Sequence, residues 1–392
     1  MPAGRPTTND VPMKFRMKLA AVAAVTVAVS AVVSGVAASA STDPRNPGLS
    51  LPHPTGPHAV GQTTLHLVDR SRQDPWVPQS GPRQLMVSMY YPAVPHTGRA
   101  APYMSAAEAE ALLTFAELND KIPASSLAGT KTWAHSRAIP LPGRYPLVVL
   151  SPGFSVPRSE LTGLATDLAS RGFVVTSVDH AYESKATRFP GGILPCTACE
   201  DLAAGKISRQ SIAEGRARDV SFVLDQLLHT RRMWPYSTMI DPRRIGMAGH
   251  SIGGDATAAT MTADPRVLAG ASMDGPFTPP IPASGLNHRP FLLLGDVDAE
   301  APGADPTWDA SWPNLDGWKR WLTVSGADHY TFTDLNYLID QTGALPIPGA
   351  DRSIKLTRAY ISAFFEQHLK AIPQPLLDGP STAYPEVNFN NP

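Results

Sequence analysis

Cysteine is almost missing from this chain: only Cys196 and Cys199 occur in 392 residues, close together in "PCTAC". That excludes a disulfide-built scaffold and a four-ligand zinc site, which would need a second soft pair. A thioredoxin-like redox site expects such a pair at the start of a helix in a βαβ unit. Here the pair falls in a stretch rich in proline and glycine. A basic excess is missing too. Lys+Arg number 33 against 34 for Asp+Glu, so a nucleic-acid partner is not expected. There is no metal constellation, no Gly-rich phosphate loop and no nicotinamide fingerprint, and hence no expected cofactor. Internal repeats and internal linkers are absent as well, which leaves one domain.

Proline, by contrast, is abundant: 40 residues, about twice average usage. They gather in loops and near the ends, where they stiffen connections outside the core. At the N-terminus Lys14, Arg16 and Lys18 precede the uncharged run 19–36, and Ala38-Ser39-Ala40 offers a small-residue cleavage site. This is the pattern of a signal peptide over 1–40, which implies a secreted chain. An uncleaved membrane anchor is the alternative, since the run nearly spans a bilayer. In an exported protein Cys196 and Cys199 are expected to form a local disulfide, closing a loop too short to add much global stability. A Pro-rich leader (41–60), a single domain (61–380) and a C-terminal tail (381–392) complete the expected organisation.

Strand-like "TTLHLVD" (63–69) and "QLMVSMYYP" (84–92) open the domain, and 104–118 reads as a helix followed by a loop to about Pro142. Ala111, Leu112, Leu113 and Phe115 on that helix could touch a lipid surface, although packing on the sheet is the commoner fate. Strands then alternate with helices. The run 147–150 is wholly apolar, as a strand buried on both faces must be. A helix over 159–171 stops at Gly172, and 173–179 is the next strand. Over 208–228, Ala213, Ala217, Val220, Leu224 and Leu227 recur at helical steps of three and four. Further strands are expected at 245–248, 268–273, 291–294 and 321–324, and a last helix at about 353–369 buries Ile361, Phe364, Phe365 and Leu369. The alternation predicts an α/β fold with a mostly parallel central sheet and helices on both faces.

Strand 245–248 feeds "GHSIGG", residues 249–254. G-x-S-x-G between a strand and a helix is a nucleophile elbow, with Gly249 and Gly253 demanded by the tight turn and Ser251 lifted above the sheet edge. A serine hydroxyl needs a base, and the base needs an acid to fix its tautomer, in the chain order Ser, acid, His. Most histidines precede Ser251; His250 lies inside the elbow, His288 in a Pro-rich loop and His368 in the last helix. His329, in "SGADHYTF" just past a strand, is the candidate base. Two strand ends offer an acid: Asp274 in "GASMDGP", and Asp296 or Asp298 in "LLLGDVDAE". The oxyanion hole calls for two backbone N–H groups, assigned to Ile252 after the nucleophile and to Phe154 in "LSPGFSVPR". A non-catalytic binding module on this scaffold would usually have lost the serine or the histidine, and this chain keeps both.

"TGPHAVGQTTLHLVDRSRQDPW" (55–76), "LMVSMYYPA", "LSPGFSVPRSELTGLATDLASRGFVVTSVDH", "RIGMAGHSIGG" and "ADHYTFTDL" (327–335) together resemble the platelet-activating-factor acetylhydrolases and their bacterial relatives, in colinear order. The resemblance implies the α/β-hydrolase fold and a Ser251-Asp274-His329 triad, because that family carries its acid after the strand that follows the elbow helix. It also implies a secreted serine esterase acting on short or oxidised acyl esters of phospholipid-like substrates. The alternative is a broader lipase, carboxylesterase or cutinase-type polyester hydrolase, whose acid sits on the later strand. Two departures bear on the substrate. Pro152 stands where the family commonly has histidine, and the "GGILPCTACED" loop is this chain's own.

Overall fold

The apolar runs assemble into one large sheet with helices on both faces. The computed structural model describes residues 48–229 and 233–390; the expected signal segment lies outside them. The first strands are β1 (Ala59–Gln73), β2 (Pro82–Ala93), β3 (Arg99–Ala100), β4 (Ala134–Ser136), β5 (Tyr145–Ser151) and β6 (Val174–His180). β7 (Arg188–Phe189) and β8 (Gly192–Ile193) pair only with each other. β9 (Ile240–His250), β10 (Val267–Met273), β11 (Phe291–Asp296), β12 (Lys319–Val324) and β13 (Val387–Phe389) follow. The main sheet runs β13-β12-β11-β10-β9-β5-β6-β2-β1-β4-β3. Its centre, from β6 to β12, is parallel. β2 beside β6, β1 beside β2, and β13 beside β12 are antiparallel.

The helices are α1 (Ala106–Phe115), α2 (Ala124–Ala128), α3 (Thr162–Ser170), α4 (Thr197–Ala203) and α5 (Arg209–His229) in the first half. α6 (Ile252–Ala263), α7 (Val297–Glu300), α8 (Pro306–Ser311), α9 (Asp334–Thr342) and α10 (Ala350–Lys370) complete the set. β5 shows why the sheet is covered twice. Leu147 and Val149 join a cluster with α5 and α6, whereas Val148 and Leu150 join one with α3 and α10. Strand geometry sends neighbours to opposite faces, so an unbroken apolar run needs a layer on each. The expected stripe on α5 is buried throughout, as are Ile361, Phe364, Phe365 and Leu369 on α10. Among the described residues no helix is long and apolar enough to cross a membrane.

The differences from the sequence reading lie at polar boundaries. The helix expected at 104–118 is shorter, because Ser105 and Glu108 form a reciprocal capping box that starts it at Ala106. Its Leu112 and Leu113 are buried against α2, α9 and the leader, so they are not free for lipid. The expected loop to Pro142 contains α2 and β4. The described part of the leader is anchored: Thr55 bonds Asp167, and Arg358 donates to the carbonyl of His53. The C-terminal tail supplies β13. Cys196 and Cys199 are disulfide-bonded, and they open the short helix α4, where a plain loop was expected.

A buried charge network underlies the C-terminal end of β5. Arg83, about 1% exposed, spends every N–H of its guanidinium on Asp74, Glu183, Asp219 and the carbonyl of Ala181. Arg216 bonds Glu183, the hydroxyl of Ser151 and the carbonyl of Pro152. His180 and Asp219 also pair. Burial alone would raise the Asp219 carboxyl, but Arg83 and His180 hold it well below the usual carboxylate range. Its contribution to stability is therefore present across neutral pH and is lost only as pH falls through that depressed value. Removing one member of a buried pair strands the other charge. Asp219→Asn is expected to lower the unfolding free energy by about 3–5 kcal/mol, read from urea melts at neutral pH.

Candidate active site

β9 ends at His250 and α6 begins at Ile252, so Ser251 is the whole turn. Ser251 sits at φ 55°, ψ −126°, a conformation costly for a residue with a side chain and kept only where the surroundings enforce it. They do so by crowding. A Cβ on Gly249 would lie 2.1 Å from the carbonyl carbon of Gly253, and one on Gly253 would lie 2.1 Å from the carbonyl oxygen of Ser151. A Cβ on Gly275 would come within 2.0 Å of the Ser251 carbonyl oxygen. The Ser251 N–H donates to the Met273 carbonyl at 2.8 Å, tying the elbow to β10.

Three sequence-distant side chains meet above this turn. The Oγ of Ser251 is 2.9 Å from Nε2 of His329, and Nδ1 of His329 is 2.5 Å from Oδ2 of Asp274. Because a carboxylate only accepts, Nδ1–H donates to Asp274, and Nε2 offers its lone pair to the serine O–H. Ser251 and Asp274 are buried, whereas the His329 side chain is 29% exposed. Asp274 holds φ 56° just past β10, a region Asp tolerates better than most residues.

Asp296 makes a different set of contacts. Asp296 turns its carboxylate to the N–H of Asp298 and caps α7, while its own N–H donates to Oδ1 of Asp274 at 2.7 Å. Burial raises the Asp296 carboxyl, opposed by the Asp298 N–H and reinforced by the charge of Asp274. Asp298 is exposed.

Phe154 and Ile252 lie on the two segments that touch at the elbow. The β5 loop abuts the start of α6 so closely that a Cβ on Gly253 would also meet the Pro152 carbonyl oxygen at 2.9 Å. The N–H of Gly153 is taken by Oε1 of Glu160 at 2.6 Å. The N–H of Ser155 is taken by the Glu183 carbonyl at 3.0 Å. Between them stands Phe154, half-buried. The disulfide reaches the same loop, since the Ser155 hydroxyl lies 3.1 Å from Sγ of Cys199. His368 packs between Trp318 and Phe364 on α10, and burial lowers its pKa to about 4.

Sequence reasoning passed over His250 and Glu160. His250 is buried with Nδ1 3.1 Å from Glu160 and Nε2 2.7 Å from the carbonyl oxygen of His329. The two residues are ninety positions apart, and neither carries a periodic signal. His180, Glu183 and Asp219 have ligand atoms close enough to suit a metal ion. Their carboxylates already pair with Arg83 and Arg216, which accounts for the cluster without one.

The model of the family described as platelet-activating factor acetylhydrolase, isoform II, matches residues 45–190. A probable 1-alkyl-2-acetylglycerophosphocholine esterase of Arthroderma benhamiae is 29% identical, over 86% of this chain and 93% of that protein. The platelet-activating factor acetylhydrolase of Cavia porcellus is 22% identical, over 74% of this chain and 70% of its own length. Among solved structures, a ferulic acid esterase from Streptomyces cinnamoneus is 43% identical with a TM-score of 0.77, covering 88% of this chain and 99% of that one. With its parallel sheet, its serine elbow and these relatives, the chain is an esterase of the α/β-hydrolase fold that is similar to the platelet-activating-factor acetylhydrolases.

Proposed function

We propose that the chain hydrolyses carboxylic esters through an acyl-enzyme, with Ser251 as nucleophile, His329 as general base and Asp274 as the acid that orients it. The observation that carries this reading is the unbroken chain of contacts from Asp274 through His329 to the Ser251 hydroxyl. Ser251 Oγ attacks the ester carbonyl carbon while Nε2 of His329 takes its proton. The imidazolium, stabilised by Asp274, gives that proton to the departing alcohol. Water then enters along the same path and releases the acid. The N–H groups of Phe154 and Ile252 receive the oxyanion, and the N-terminus of α6 adds its dipole.

Short or oxidised acyl esters of phospholipid-like molecules are the substrates this reading favours, supported by the family match and the esterase of Arthroderma benhamiae. A second reading, esters of ferulic acid, is favoured by the solved esterase at 43% identity. The segment 1–40 and the Cys196–Cys199 disulfide support export to an oxidising compartment.

Ser251→Ala is expected to fold normally and lose on the order of 10⁶-fold in rate. An organophosphate labels Ser251 in the wild type; label on another serine, with activity surviving in the variant, would remove the assignment. Asp274→Asn should lose up to about 10⁴-fold in turnover, while Asp296→Asn stays within about tenfold. The reverse ranking would move the acid to β11. Rates on p-nitrophenyl esters of rising chain length, an acetyl-phospholipid and methyl ferulate decide the substrate. The highest kcat/KM on the acetyl-phospholipid is the expected outcome, and a clear preference for ferulate replaces it with the second reading.

A further inference from the structure

Glu160, in the turn before α3, is fully buried, yet among the described residues no lysine or arginine forms an ion pair with it. Its Oε1 accepts two bonds, from the Gly153 N–H and from Nδ1–H of His250. Its Oε2 is buried without a hydrogen-bond partner. On the other side of the ring, Nε2 of His250 meets the carbonyl oxygen of His329. A carboxylate and a carbonyl can only accept, so both ring nitrogens carry protons and the ring is an imidazolium.

Such a pair is a poor device for stability, because desolvating two charges consumes much of what their attraction returns. The unpartnered Oε2 deepens that cost. Its placement points elsewhere. Through Gly153 it fixes the peptide that precedes the Phe154 N–H. Through the His329 carbonyl it fixes the backbone that carries the base, and its imidazole side chain belongs to the residue before Ser251. The fit is tight: a Cβ on Gly153 would lie 2.8 Å from Nδ1 of His250. The rings of His250 and His329 are 4.7 Å apart.

Resting on the esterase reading above, we propose that Glu160 and His250 are positioning residues, a buried carboxylate–imidazolium strut that holds the oxyanion amide and the general base in register over Ser251. The groups facing His250 are Glu160 from the turn before α3, Asp274 from the end of β10, and His329 and Tyr330 from the loop after β12. Burial alone would lower the His250 pKa, but Glu160, the His329 carbonyl and Asp274 hold it above its ordinary value. The strut is therefore intact below that raised value and is lost as pH rises through it. Deprotonation then turns a lone pair on one acceptor.

The test compares wild type, Glu160→Gln, His250→Gln and Ser251→Ala on p-nitrophenyl acetate, alongside thermal melts and organophosphate labelling. Both strut variants are expected to lose on the order of 10²-fold in kcat, the scale of a small misplacement of reacting groups. KM should stay within about threefold, the mark of an interaction made in the transition state. Melting temperatures should fall, as for any buried pair that loses one partner, so kcat is read well below the melts. Wild-type kcat should fall on the alkaline side, and that limb should disappear in His250→Gln. Near-normal kcat in either folded variant overturns the proposal, as does an alkaline limb that persists in His250→Gln. If both variants fail to fold, the wild-type profile still decides, because a kcat level up to alkaline unfolding also overturns it. A wild type that does not label at Ser251 defeats the esterase reading itself. A wild type that labels, beside variants that only melt earlier, defeats the strut alone.

Discussion

Everything at the site depends on one piece of steric crowding. The turn at Ser251 is closed by backbone contacts that leave no room for a side chain at Gly249, Gly253 or Gly275. That crowding holds Ser251 in a left-handed conformation no isolated serine would favour. The strain is carried by the sheet, whose central strands are buried on both faces and cannot yield at their ends without losing their packing. Because the elbow is rigid, the loops that approach it can be short and still meet it within hydrogen-bond distance.

Those loops are held from below by charge. Arg216 grips the end of β5 through Ser151 and Pro152, and it shares the Glu183 carboxylate with Arg83 of β2. The disulfide bears on Ser155 from the side. The loop after β5, which joins a strand to a helix with little regular structure of its own, is thus pinned at Ser151, Gly153 and Ser155. A preorganised donor costs no reorganisation when charge develops on a substrate, and the role proposed for the Phe154 N–H draws on a loop fixed on either side of it.

Apolar patterning made most of this architecture legible. The unbroken run in β5, the stripe on α5 and the buried side of α10 each state their own environment, because burial on one face or two leaves a period in the sequence. Strand-turn-helix context around Ser251 made the elbow legible for the same reason. Polar pairing left no such trace. Nothing near Glu160 announces His250, and Arg83 finds Asp219 across 136 positions. The choice between Asp274 and Asp296 was open to local reading because both end a strand and both are acidic. What separates them is the direction of a side chain, with Asp296 turned toward α7 and Asp274 toward His329.

The sheet also ends well. Its margins are β3, of two residues, and β13, of three, both too short to template a foreign strand. β13 lies along the last stretch of β12 and takes up its outward-facing backbone bonds at Leu322, Thr323 and Val324. β13 therefore acts as a seal on a parallel edge that would otherwise recruit other chains. Losing that strand would leave the elbow and its partners in place and show itself as self-association, a defect of solubility in a molecule whose chemistry is intact.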